Sequence, residues 1–308
     1  MSHGAANVSS QVLVLMLLIA AGFICGKIRL FDDHSTERMS TLVLKIVTPC
    51  TIIDSMNREF DVTALHAMLH VIVIAFGVHL LASVLAFAVL RKGKAQTLHV
   101  LRFGVIFGNC GYMGLPLLQA LYGADGIFYG ACFILVFNIV QWTFGLYVMS
   151  GDVREMRPAK LFNPALVAVA IGLILFLSPV RPPQVLSNAV SYLASMNVPL
   201  PMMITGYFLS KADLIAIWKH VEYYKAILLR LVVLPLISVL ILSFTGFDIT
   251  LLGSCVVCAS VPAAAVTTML ATTYRQDTET AANVVSISTL LSMVTLPLIV
   301  SLAQIVIR

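Results

Sequence analysis

The chain has 308 residues, of which 60% are hydrophobic and only 11% charged, with a mean hydropathy of +0.99. Soluble domains carry about 25% charged residues, so a water-soluble globular protein is excluded and an integral membrane protein is expected. The net charge of +5 says less than the places where the charges fall.

Taken in order, the chain reads as ten apolar segments, at about residues 10–28, 37–56, 63–90, 98–121, 126–149, 162–179, 186–209, 223–245, 249–273 and 281–306. Each is about long enough to cross a bilayer as a helix. The first could be mistaken for a signal peptide. Met1 to Ser10 holds no Lys or Arg, however, and the apolar run from Val12 to Cys25 is followed by Lys27 and Arg29, which is the charge order of a transmembrane helix. No soluble domain is expected before or after the membrane region.

The second segment carries Lys45, one helical turn before Pro49 and on the same face, and Asp54 toward its outer end. A lysine at the bilayer centre costs roughly 3 kcal/mol on insertion scales, so Lys45 is expected to face an interior cavity and help bind an anion or take up a proton; the alternative is a lysine bonded to carbonyls freed by Pro49. His66 and His70 in the third segment have i, i+4 spacing, but without a third ligand they read as interfacial side chains rather than a metal site. The fourth segment contains Gly108-Asn109-Cys110-Gly111-Tyr112-Met113-Gly114-Leu115-Pro116. Three glycines and a proline in nine residues are poor helix material. Broken backbone at membrane depth is tolerated only where protein buries it or it lines a wet cavity.

Segment five holds Asn138 and Gln141 on one face, either lining a cavity or bonding a neighbouring helix. Arg230, about one and a half turns from the inner end of segment eight, is expected to snorkel to the surface. A second break, Ala259-Ser260-Val261-Pro262-Ala263-Ala264-Ala265, lies in segment nine, about 150 residues after the first. Ser288, Ser292 and Thr295 in segment ten read as close helix packing. The six cysteines, Cys25, Cys50, Cys110, Cys132, Cys255 and Cys258, all fall in apolar stretches. Cys255 and Cys258 have metal or redox spacing but no further Cys or His nearby, so they read as small apolar filler. Neither a metal nor a cofactor is expected.

The loops after odd-numbered segments hold fourteen of the nineteen basic residues, among them Arg91, Lys92, Arg154, Arg157, Lys160 and Lys219. This bias puts those loops in the cytoplasm and both termini outside. Five segments per half force the second half to insert upside down, so residues 1–150 and 151–308 read as inverted repeats. Pro49 and Pro199 sit 150 residues apart, as do the two breaks approximately, and Gly151 to Lys160 is the natural hinge between halves. Paired interrupted segments in corresponding positions are a sequence pointer to a transporter's site.

At this point the residues match a known family. Leu42 to Pro49, Gly108-Asn109-Cys110-Gly111 with Gly114-Leu115-Pro116, Asn163-Pro164, Val261-Pro262-Ala263-Ala264, Tyr274, Asp277, Ser288 to Ser292 and Leu296-Pro297-Leu298 resemble the auxin efflux carrier family of bacterial permeases, relatives of plant auxin carriers. The resemblance covers nearly the whole chain. It implies an all-α membrane protein of ten helices in a five-plus-five inverted repeat, like sodium–proton antiporters and bile-acid transporters, with segments four and nine crossing at their breaks. It also implies a scaffold of segments one, two, six and seven, a moving domain of the other six, small organic anions as cargo, and a homodimer.

Half-helix N-termini can hold a carboxylate without a basic side chain. The expected substrate site is therefore Asn109, Cys110, Gly111 and Tyr112 with Ser260, Val261, Pro262 and Ala263, assisted by Lys45, Pro49, Asn138 and Gln141. Gly111 is expected to be the residue whose missing side chain lets the crossing strands meet. The expected function is a secondary carrier of small organic anions such as mono- or dicarboxylates, working by alternating access in the cytoplasmic membrane with protons as the default coupling ion. A sodium-coupled bile-acid-type symporter, or a channel or receptor, is the alternative. No Gly-x-Ser-x-Gly, zinc-ligand or P-loop pattern is present, and Asp125 has no partner aspartate at membrane depth, so neither an enzyme nor a nucleic-acid binder is expected. The charge count has a direct test. Single cysteines replacing Lys92, Arg157 or Lys219 should stay unlabelled by an impermeant thiol reagent on intact cells, whereas those replacing Gly4 or Arg308 should react; labelling at position 92 but not at 4 would overturn the ten-segment reading.

Overall fold

The computed structural model describes residues 2–156, 164–178, 181–211 and 221–307. Arg157, Lys160, Asn163, Lys219 and Arg308 lie outside the described residues. Everything described is helix, turn or connecting loop, with one isolated β-bridge, Gly108 to Ala263.

Helix α1 (Ser2–Lys27) is followed by α2 (Asp33–Leu42) and α3 (Thr48–Met56), which a π-helical turn (Val43–Val47) joins into one run. Then come α4 (Val62–Val89), α5 (Ala95–Ile106), a π-turn (Cys110–Gly114), α6 (Leu115–Val140), another π-turn (Gln141–Gly145) and α7 (Leu146–Ser150). The second half of the chain gives α8 (Pro164–Leu177), α9 (Gln184–Ser195), α10 (Pro199–Lys211), and α11 (Val221–Leu228) joined by a π-turn (Leu229–Val233) to α12 (Leu234–Leu242). It ends with α13 (Ile249–Ser260), α14 (Val266–Thr273) and α15 (Thr278–Val306). Helix α6 is two helices joined at Gly123, whose φ of 60° and ψ of −139° turn the chain between segments four and five. Among the described residues five runs, Asp33–Met56, Val62–Val89, Cys110–Ser150, Glu222–Leu242 and Thr278–Val306, are long and apolar enough to cross a membrane, and shorter apolar helices accompany them.

Acidic residues sit at helix starts, where they accept backbone N–H groups that have no partner within the helix. Asp32 and Ser35 form a reciprocal capping box before α2. The Ser35 hydroxyl and N–H hold the Asp32 carboxyl below its ordinary range. Asp61, Asp248 and Asp277 cap α4, α13 and α15 through a carboxylate that accepts backbone N–H groups of the first turn.

Three prolines follow one rule. Pro49, Pro116 and Pro235 each occupy the second position of an α-helix that follows a five-residue π-turn. Proline has no N–H for the carbonyl four residues back and its ring collides with it; the π-turn carries that carbonyl in a wider loop. Pro116, expected to help break segment four, is thus absorbed within the helix, and the break lies before it. Pro297 lies inside a continuous α15.

Helix α1 packs on α10 with backbones in contact. A Cβ at Gly22 would stand 2.0 Å from the Met203 carbonyl oxygen, and one at Gly206 would stand 2.0 Å from that of Ile19. Helix α3 packs on α8 and α9, so segments one and seven pair, as do two and six. Helices α4, α5, α6, α13, α14 and α15 pack mainly on one another. Across the loops, Arg58 pairs with Asp125 at 2.7 Å, and Asp33 accepts from Tyr207 Oη at 2.6 Å. The small-residue contact between α1 and α10 gives a prediction. Gly22→Val and Gly206→Val should each cost about 3 kcal/mol through overpacking, read as a lowered unfolding temperature in detergent. Gly77→Ala, with nothing within 4 Å of its added Cβ, should leave the transition in place.

Candidate functional site

The breaks of segments four and nine meet. After α5 the chain extends through Phe107, Gly108 and Asn109; after α13 it extends through Val261 to Ala264. The two stretches run antiparallel, with Asn109 N donating to Pro262 O at 2.8 Å and Ala264 N to Phe107 O at 2.9 Å. Ala263 N donates to Ser288 Oγ of α15 at 3.2 Å. These bonds satisfy backbone groups that would each cost several kcal/mol if left bare at membrane depth.

Gly108, not Gly111, is the residue that permits this approach. A Cβ on Gly108 would lie 1.7 Å from Arg230 Nη2 and 2.9 Å from Val261 Cγ2, whereas nothing lies within 4 Å of a Cβ on Gly111. Gly111 instead faces open space beside the break. The expectation for Arg230 is also corrected. It does not snorkel; it is 3% exposed, and its guanidinium donates to the carbonyls of Val261 at 2.8 Å, Val105 at 3.2 Å and Cys258 at 3.4 Å. The crossing therefore contains a base, contrary to the reading of the break segments alone. Arg230 arrives from segment eight, whose π-turn carries it inward.

The other expected site residues divide. Asn109 caps the helix beyond the break, its Oδ1 accepting from Tyr112 N at 3.4 Å. Tyr112 Oη donates to Ser40 O of α2 at 3.0 Å, tying the crossing to segment two. Cys110 Sγ points to the Cys258 carbonyl at 3.5 Å. Ser260 Oγ turns back to Val256 O of its own helix, and Asn138 Nδ2 to Ile134 O. Gln141 Oε1 is buried without a partner. Lys45 and Pro49 lie elsewhere: with Ile53, Pro164, Val167 and Ile171 they line an open groove of about 400 Å³ between segments two and six. Asp54 accepts from Ser191 Oγ at 2.5 Å, and no group of three or more potential metal ligands occurs among the described residues.

Three residues of the neighbourhood escaped the sequence reading. Ser288, read as packing, supplies a hydrogen bond to the crossing backbone. Thr267, in the first turn of α14, is fully buried with its Oγ1 unpartnered, and a buried polar atom without a partner requires an explanation. Its place two residues into a half-helix was the available signal. His79 of α4 is 4% exposed, its Nδ1–H donating to Ala75 O (2.7 Å) among the rings of Phe107, Phe133 and Phe137; its position near the middle of an apolar segment was the signal. A cavity of about 40 Å³, lined by Met113, Leu117, Met202, Ser292 and Leu296 with side chains of α1, adjoins this region between segments one, four, seven and ten. It has room for about one water molecule.

The crossing geometry makes two glycines diverge. Gly108→Ala should displace Arg230 and cost about 3 kcal/mol, lowering the yield of folded protein on size-exclusion chromatography. Gly111→Ala should leave yield and unfolding temperature unchanged; equal damage from both would contradict the assignment.

Relatives bear on the whole chain. An uncharacterised transporter of Methanothermobacter thermautotrophicus is 25% identical over 306 residues, covering 94% of this chain and 96% of that protein. A protein of Rhizobium meliloti described as "Putative malonate transporter" is 24% identical over 313 residues, covering 94% of each. The family described as membrane transport protein matches residues 7–300. With its apolar helices and the crossed breaks of segments four and nine, the chain belongs to this membrane transport protein family, the auxin efflux carrier family.

Proposed function

We propose that the protein is a secondary carrier of small organic anions, and that the crossing of segments four and nine is its substrate site. The observation that carries this reading is the antiparallel pairing of the two breaks around Arg230. None of the fourteen acidic residues lies within ten positions of Phe107–Asn109 or Val261–Ala265. Two half-helix N-termini, beginning at Cys110 and Val266, leave the crossing, and such ends favour anions. Asn109, Cys110, Gly111 and Tyr112 from one break, with Ser260, Val261, Pro262 and Ala263 from the other, form the site in this reading. The open space beside Gly111 supports it. Gln141, with its unpartnered Oε1, is a further candidate, and Lys45 and Pro49 would act from their separate groove.

In the same reading the chain crosses the cytoplasmic membrane ten times as an inverted five-plus-five repeat with both termini outside. Segments one, two, six and seven form the scaffold, and the other six move to give alternating access. The pairing of segment one with seven and of two with six supports that division. The Tyr112–Ser40 bond would then span the sliding boundary and have to break on each cycle. A homodimer and proton coupling complete the proposal.

The description of the Rhizobium meliloti relative names malonate, which makes it the first substrate to try. Purified protein in liposomes should show saturable counterflow of labelled malonate or a related small carboxylate, independent of sodium. Asn109→Ala should weaken apparent affinity by about 1–3 kcal/mol, the cost of leaving a buried polar partner unmatched. Absence of counterflow across a panel of mono- and dicarboxylates would refute the organic-anion reading, and strict dependence on sodium would favour the bile-acid-type alternative.

A further inference from the structure

The three carbonyls held by Arg230 share one property: each belongs to the C-terminal end of a half-helix that stops at the crossing. Val105 lies in the last turn of α5, Cys258 in the last turn of α13, and Val261 immediately beyond it. In a continuous helix Val105 O would receive the N–H of Asn109, but that N–H goes to Pro262 O. Cys258 O would receive the N–H of residue 262, which is a proline and has none. Arg230 supplies the missing donors to both ends at once.

The charges also match. A helix C-terminus gathers about half a negative charge and an N-terminus about half a positive one. Two of each converge here, so by themselves the four ends nearly cancel. A guanidinium stays protonated and adds one full positive charge, and it sits on the two negative ends. We infer that Arg230 sets the sign of the crossing: it neutralises both half-helix C-termini and leaves the two N-termini, at Cys110 and Val266, as an uncompensated positive field that admits anions and repels cations. Arg230 does not touch the substrate in this role; it is a selectivity residue acting through the backbone of α5 and α13. The inference rests on reading the crossing as the anion site.

The test uses the open space at Gly111. In a protein whose native cysteines are replaced, Gly111→Cys places a thiol beside the break with nothing within 4 Å of its Cβ. Its reaction rates with the anionic sulfonatoethyl and the cationic trimethylammonioethyl methanethiosulfonates are each divided by the rate for a small free thiol. With Arg230 present the anionic reagent should be favoured by about tenfold or more. Arg230→Lys, which keeps the charge, should hold that ratio within about threefold, and Arg230→Gln should lower it at least about tenfold. Arg230→Met replaces Arg230→Gln if the latter does not fold. A ratio near one in the parent protein overturns the inference. So does a ratio unchanged by the neutral variants while both rates move together, the signature of a cap that is merely structural. The readout needs no transported substrate, so failure of carboxylate counterflow would strike the proposed function alone.

Discussion

Backbone polar groups inside a membrane have no water to turn to, and that constraint shapes the centre of this molecule. Two helices stop at mid-segment, and each stop would strand several N–H and C=O groups. The structure resolves this by letting the two stops serve each other. Phe107 and Asn109 exchange hydrogen bonds with Pro262 and Ala264, Ser288 takes the N–H of Ala263, and Arg230 takes the carbonyls that remain. Removing any partner exposes the others. A glycine is required at Gly108, where the Arg230 guanidinium and the Val261 side chain leave no room for a methyl group.

The same constraint explains the helical irregularities. A proline in an α-helix strands the carbonyl four residues before it. At Pro49, Pro116 and Pro235 that carbonyl belongs to a residue of the preceding π-turn: Lys45, Tyr112 or Leu231. A π-turn rotates the residues it contains relative to the regular helix, so it also re-aims side chains. Lys45 and Arg230 both sit in such turns. One opens onto a groove and the other is turned into the crossing.

The helix caps and ion pairs lie at the margins. Asp32, Asp61, Asp248 and Asp277 are consumed as helix caps, and Arg58 pairs with Asp125 at 2.7 Å across two loops. Between these margins the packing of α1 on α10 depends on small residues, since apolar surface gains little from leaving an apolar solvent and close backbone contact must supply the attraction.

The sequence by itself determined a great deal. Low charge and long apolar runs required a membrane protein, because local hydropathy needs no knowledge of neighbours. Gly108 to Pro116 and Ser260 to Ala265 marked the breaks, because glycine and proline act on their own backbone. What the sequence could not state was which partner each break would find. Gly111 and Gly108 are equally glycine; only the side chains packed against them, Arg230 of segment eight and Val261 of segment nine, decide which of them must lack a side chain. Arg230 looked free to reach the surface when counted along its own helix, and Ser288 looked like packing, because both act on a segment far from them in the chain. Lys45 shares a face with Pro49, yet which face meets the crossing is fixed by how segments two and six pack. Local backbone chemistry is written in consecutive residues, but the satisfaction of a stranded carbonyl at membrane depth is a contact between distant ones, and only the tertiary structure supplies it.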